Sequence, residues 1–223
     1  LHVARCGERP FEPGRDYFQR EVQGTVCSAL FLAGREGTRI VGISEALPPG
    51  DGLHAPFAYA GAISHAAISM RVREELAAGL DMLAGLAGLV GLNGVDFVLQ
   101  GESFCVLEVN PRPTATLELY DPDVADGLLA AHVAICADED VLLEQSWGPI
   151  RAHAVVFAHR RLRLPAHWRP ARWYADIPPP DAVIEPGMPV CSVRAEGASR
   201  AEVKNKIAQY RAAVLDSCEE MVA

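Results

Sequence analysis

Asp96, Glu108, Asn110 and Arg112 are residue types that phosphate chemistry uses, and they stand where two extended runs meet. Residues 95–99 and 104–109 are rich in strand formers and flank a turn at Gly101, Glu102 and Ser103. A turn centred on Glu102 sets Asp96 directly across from Glu108. Period-two alternation then sorts the side chains onto two faces. One face holds Val95, Phe97, Leu99, Cys105, Leu107 and Val109, apolar throughout and expected to be core. The other holds Val98, Phe104 and Val106 and, at its open end, Asp96, Glu108 and Asn110.

Opposed residues on such a ladder have Cβ atoms about 5 Å apart. Two carboxylates that close repel each other unless a proton or a cation joins them. Two carboxylates and one amide form an all-oxygen set suited to a hard ion such as Mg²⁺, shared with phosphate oxygens. Pro111 and Pro113 end the strand around Arg112, fixing a guanidinium where it can stabilise charge on a phosphoryl group. The same pattern also fits a solvated hairpin face carrying ordinary surface acids.

Other elements must position these residues. Residues 17–33 read as strand, turn at Gln23-Gly24, and strand, and residues 39–44 return as a third strand of an antiparallel meander. Residues 48–62, with Pro, Gly, Phe57 and Tyr59, read as a substrate-facing or Ω-type loop. Residues 69–89 form a helix whose stripe is Val72, Leu76, Leu80, Leu83, Leu86 and Leu89. Residues 124–137 form a second helix in which His132 is expected to pack rather than react, a reading that extends to His54 and His65.

Residues 138–149 mark a boundary, giving a main domain over 1–147 and a small α+β unit over 148–223 with no evident chemistry. That unit starts with a buried-looking strand, 150–158, crosses a segment with seven prolines, 165–189, and continues with a strand, 190–195. It ends in a helix over 199–222, with Ser199 as cap and Glu202 three residues on.

At 223 residues the chain can bury one good core, or one core and a small second unit. A net charge of −9 without a basic stripe argues against nucleic acid as partner. The six cysteines are scattered without CxxC or Cys/His spacing and no signal peptide is evident, so a reduced, cytoplasmic protein is expected. Asp81 and several glycines interrupt the longest apolar stretch, 77–92, so no membrane association is expected.

The stretch 91–120, with Asp96 on one strand and Glu108-Val-Asn110-Pro-Arg112 on the next, resembles the metal-binding end of the ATP-grasp ligases. That superfamily includes D-alanine–D-alanine ligase, biotin carboxylase and carbamoyl phosphate synthetase. The likeness spans residues 17–135. It implies an α+β fold, a mainly antiparallel sheet flanked by helices, with a small α+β C-terminal appendage. It implies ATP and Mg²⁺, or Mn²⁺ in its place, with Asp96, Glu108 and Asn110 as metal ligands and Arg112 as the catalytic residue. Gln19, Arg20, Glu21 and Val22 match the hinge that receives adenine. Val26 stands where D-alanine–D-alanine ligase has its ribose-binding glutamate, so Glu21 is the other candidate for the ribose. Thr114, Thr116 and Glu118 match a segment that approaches the acceptor substrate. The strand at 150–158 is similar to the Gly-His-Ala strand opening the C-terminal domain of biotin carboxylase-like members.

The activity implied is an ATP-dependent carboxylate–amine or carboxylate–thiol ligase working through an acyl phosphate. Its partners would be small-molecule carboxylates and amines, and a homodimer is compatible with it. Such enzymes carry phosphate-binding lysines, whereas the only lysines here are Lys204 and Lys206. The chain therefore reads as the C-terminal part of such an enzyme, or as one whose nucleotide site something else completes, with Arg5 or Arg15 as substitutes. A degenerate module that binds nucleotide or a partner without catalysis, and a Mg²⁺-dependent hydrolase or phosphotransferase, are the alternatives.

Overall fold

The computed structural model describes residues 10–50, 58–141, 143–146, 148–165, 168 and 171–220. The first half contains β1 (Thr25–Gly34), β2 (Gly37–Ala46), β3 (Gly61–Ile63), α1 (Met70–Ala87), β4 (Gly91–Gln100) and β5 (Ser103–Asn110). Two 3₁₀ turns (Ala115–Leu119, Asp121–Asp123) and α2 (Leu128–Cys136) follow. Beyond them come β6 (Ile150–Phe157), β7 (Leu162–Arg163), β8 (Tyr174–Ala175), β9 (Val183–Ile184), β10 (Pro189–Gly197), α3 (Arg200–Ser217) and β11 (Glu219–Glu220).

β1 is apolar on both faces, with Cys27, Ala29, Phe31 and Ala33 on one and Leu30 and Leu32 on the other. Such a strand needs cover on both sides. α1 covers the first with Leu76 and Leu80. Ser69 caps that helix by accepting from the Val72 N–H, and Gly88 ends it at φ 64, a left-handed turn that glycine adopts freely. Leu86, part of the expected stripe, is instead exposed. The second face is covered by Leu119 and Tyr120 of the 3₁₀ region and by Leu128 and Ala131 of α2. The Tyr120 ring lies so close on Gly42 that any Cβ there would collide with it.

One sheet of eight strands runs in the order β5-β4-β1-β2-β3-β6-β10-β8, with antiparallel pairing throughout, and a small sheet β11-β7-β9 lies beside it. The fold is mixed α+β. The short strand β3 pairs with β2 on one edge and β6 on the other, so the sheet continues across the boundary expected near residue 147. α3 packs on β6 and β10, burying Val203, Ile207 and Val214.

Three expectations change. Residues 17–22, read as a strand, are irregular and largely exposed, and the strand starts at Thr25. The hairpin closes with a two-residue turn, Gly101-Glu102, rather than a turn centred on Glu102. The register then slips once, between the pairs Phe97–Val106 and Asp96–Glu108, leaving Leu107 as the extra residue of a bulge. The two-residue turn sets Phe104 opposite Leu99 on the core face, where its ring meets Phe97 at 5.7 Å, and the bulge restores Asp96 opposite Glu108. Leu107, expected in the core, is exposed. Arg5, Cys6, His54 and Phe57 lie outside the described residues.

Candidate active site

β1 places Ser28 opposite Asp96, and β2 places Ser44 opposite Ser28, so a polar row crosses four strands from Glu108 to Ser44. Asp96 is half-buried and Glu108 exposed. Asn110 draws them together, its Nδ2 donating to Asp96 Oδ2 at 3.3 Å and to Glu108 Oε1 at 3.0 Å. Arg112 closes the cluster, donating from Nη2 to Asn110 Oδ1 at 3.3 Å and from Nη1 to the Pro113 carbonyl at 3.2 Å. Burial holds the Asp96 carboxyl above its ordinary range. A hydrogen bond to Ser28 pulls the other way, and nearby Glu108 adds to the rise. Asp96, Glu108, Asn110 and Arg112 are thus brought together.

This donor set fits a hard cation. The Asn110 amide nitrogen bridges two carboxylates, the task a bound cation performs. A half-turn of the amide presents Oδ1 to the same space, an orientation the hydrogen-bond network alone decides. No group of three His, Cys, Asp or Glu side chains able to hold a metal occurs among the described residues, so the amide is needed to complete the set.

From Arg112 the chain doubles back over the sheet. Thr114 packs against Gly94, where a Cβ would come within 2.6 Å of its methyl, and its hydroxyl meets that of Thr116 at 2.9 Å. Glu118 then reaches the C-terminal strands. Its Oε1 lies 2.8 Å from His153 Nδ1 on β6, and its Oε2 accepts from Arg194 Nη2 on β10 at 2.6 Å. The other ring nitrogen of His153, Nε2, is hydrogen-bonded to the Tyr59 hydroxyl. Burial raises the Glu118 pKa, but its contacts with His153 and Arg194 outweigh it, and the net shift is downward.

The hinge residues Gln19, Arg20, Glu21 and Val22 do not join this cluster; they lead into β1 beside the closed end of the hairpin. There Gln23 accepts at its carbonyl from Gln100 Nε2 at 2.6 Å, and Gly24 lies against the Leu99 carbonyl. Thr25 pairs with Leu99, three residues from Asp96, which is about 10 Å along a strand. Val26 is exposed. His132 accepts the Leu92 N–H at Nδ1, 2.9 Å, a packing role as expected.

A family model of the ATP-grasp domain matches residues 4–116, half of the chain. The chain belongs to the ATP-grasp family. Its ATP-grasp fold is similar to that of a biotin carboxylase–βγ-ATP complex from Campylobacter jejuni, with TM-score 0.65 and 11% identity over 84% of this chain and 45% of that one. It is also similar to Rhizobium etli pyruvate carboxylase with the allosteric activator acetyl coenzyme A, with TM-score 0.63 and 13% identity over 82% of this chain and 20% of that one. The chain thus spans less than half the length of either structure. Identities this low speak for the fold alone. A comparison with curated proteins finds no match.

The ATP-grasp match ends at residue 116, before Glu118, His153 and Arg194. The C-terminal strands, expected to carry no chemistry, bring two charged or titratable side chains to the Glu118 carboxylate. Sequence reasoning also missed Ser28, although a serine inside an apolar strand was a usable signal. Neither ATP-grasp lysine has a counterpart: Lys204 binds Glu45 at 3.1 Å and Lys206 binds Glu202 at 2.7 Å, both from α3. Arg15, the described substitute, pairs with Glu12 at 3.0 Å. No helix among the described residues is long and apolar enough to cross a membrane.

Proposed function

We propose that this chain is an ATP- and Mg²⁺-dependent ligase, or the catalytic C-terminal part of one, that joins a small-molecule carboxylate to an amine, or to a thiol, through an acyl phosphate. The reading is carried by the convergence of Asp96, Glu108 and Asn110 under the fixed guanidinium of Arg112, in a chain of the ATP-grasp family. Asp96, Glu108 and Asn110 would hold Mg²⁺, or Mn²⁺. Bound there, the ion supplies positive charge to the phosphate oxygens of ATP.

The chain's own residues do the rest. Arg112 spends two contacts on Asn110 and Pro113, which fixes its plane and leaves further N–H donors for a transferring phosphoryl group. Residues 19–22 would receive the adenine at the far end of β1, with Glu21 or its neighbours at the ribose. The substrate carboxylate attacks the γ-phosphorus, ADP leaves, and an amine then displaces phosphate from the acyl carbon. Thr114, Thr116 and Glu118 line the way from the phosphate end to the acceptor end.

The test is a calorimetric titration of the chain with ATP, with and without Mg²⁺, beside Asp96→Asn and Glu108→Gln. Metal-dependent binding that both substitutions abolish supports the reading. Binding indifferent to metal and to both substitutions would favour the second reading, a degenerate module that holds nucleotide or a partner without catalysis, for which the missing lysines argue. Arg112→Ala separates the two further: a ligase loses turnover by about 10²–10³-fold with little loss of ATP affinity, and equal loss of both would remove Arg112 from its assigned role.

A further inference from the structure

We propose that Tyr59, His153 and Glu118 form a proton relay that serves the attacking amine of the acceptor, with Arg194 anchoring its far end. The proposal rests on the ligase reading above and deepens it.

The strand register places the relay on the working face of the sheet. Ala62 on β3 and Arg194 on β10 pair with His153 on either side. Paired residues share a face, and Ala62 belongs to the core layer of Leu30 and Leu32, two and four residues along β1 from Ser28. His153 and Arg194 therefore face the same side as Asp96. β3 approaches β6 so closely at Gly61, φ 123, that a Cβ there would strike the His153 carbonyl, which fixes the backbone beneath the imidazole.

His153 is 3% exposed, with a polar side chain against each ring nitrogen. Nε2 is hydrogen-bonded to the Tyr59 hydroxyl, while the buried Nδ1 lies 2.8 Å from Glu118 Oε1 without completing a hydrogen bond; the relay takes the tautomer with its proton on Nδ1. A buried histidine needs only a carbonyl or two for satisfaction. Here its neighbours come instead from two separate segments, Glu118 and a half-exposed Tyr59. That hydroxyl donates once, to His153, and keeps a lone pair to accept a proton from a ligand. Burial, followed by the charges of Glu118 and Asp96, pushes the Tyr59 phenol well above its ordinary range. It therefore acts as a neutral phenol, within the field of Asp96.

The proton balance closes. As the amine nitrogen bonds to the acyl carbon, the acyl C–O bond breaks and phosphate leaves with its electron pair. The amine proton passes to Tyr59 Oη, the phenolic proton passes to His153 Nε2, and the imidazolium so formed faces the Glu118 carboxylate. Arg194 keeps that carboxylate ionised and oriented. Tyr59 touches substrate; His153, Glu118 and Arg194 are positioning residues acting through it.

The test offers the full chain Mg·ATP and a panel of short mono- and dicarboxylic acids, each with either hydroxylamine or glycine. Hydroxylamine captures an acyl phosphate without help from the relay, whereas glycine needs it. In Tyr59→Phe and His153→Gln, the ratio of amide to hydroxamate should fall by about 10²–10⁴-fold, the range for a positioned general base. Tyr59→Phe keeps the ring and carries the test even where His153→Gln fails to fold. An unchanged ratio, with both products lost together or both retained, would overturn the relay. No hydroxamate from the unsubstituted chain with any acid would overturn the ligase reading, and the relay with it.

Discussion

Asp96 is asked to stay ionised where its surroundings disfavour ionisation, and this has a measurable cost. Burial raises its pKa, and Glu108, directly opposite, adds to the rise. A carboxyl whose pKa is higher in the folded state than in the unfolded one contributes stability that is fully present below its unfolded value of about 3.9, and loses it as pH rises through the folded value. The metal-free chain should therefore be stabilised at neutral pH by Asp96→Asn, which keeps an acceptor for Ser28 and removes the charge. Because Asp96 is only half-buried and water screens part of this effect, an increase in melting temperature of no more than about 2–4 °C is expected. The gain should shrink towards zero below about pH 4. Thermal melts of both proteins across that range check it, and a stabilisation that persists in acid would remove the charge from the explanation. Added Mg²⁺ should reverse the order by stabilising only the unsubstituted chain.

At the scale of elements, the sharpest dependence is the ion pair between Arg151 on β6 and Asp123 in the second 3₁₀ turn, 2.8 Å apart with side chains 14% and 2% exposed. Arg151 also donates to the Leu119 carbonyl at 3.2 Å. It thus ties the segment carrying Glu118 to the strand carrying His153. Arg151→Met should cost about 3–5 kcal/mol, because it leaves Asp123 buried with no compensating charge; denaturant unfolding measures it, and a loss under about 1 kcal/mol would mean water reaches the carboxylate.

None of this was legible in the sequence, whereas the metal hairpin was. Asp96, Glu108, Asn110 and Arg112 lie within two adjacent strands, so local alternation and a turn suffice to gather them. Even there the gathering was read through the wrong turn, and a bulge at Leu107 made good the difference. Residues 17–22 have strand composition yet no strand pairing, so propensity alone misled. Tyr59, Glu118, His153 and Arg194 meet only because β3 inserts between β2 and β6. A three-residue strand leaves almost no periodic signal.

For the whole molecule, that insertion decides how the chain unfolds. Composition around residues 138–149 suggested two units, but the eight-stranded sheet passes from β2 through β3 to β6 without a break. The junction is reinforced from α3. Arg200 donates to the Ser64 and His65 carbonyls at 2.8 and 3.0 Å and pairs with Glu45 on β2, while Lys204 reaches the same carboxylate. Arg211 donates to the Pro48 and Ala60 carbonyls at 3.1 and 2.9 Å. Both sides therefore share backbone hydrogen bonds and the contacts of Arg200, Lys204 and Arg211, and neither can lose its strands without orphaning the other's edge. Calorimetry should show one cooperative transition, with the calorimetric and van't Hoff enthalpies equal. Two resolved transitions would mean that β3 is a weak seam and that the C-terminal strands melt first. The relay would melt with them, and amide formation would fail at a lower temperature than binding of Mg·ATP. A single transition instead predicts that both functions disappear together, since Asp96 and His153 stand on one sheet.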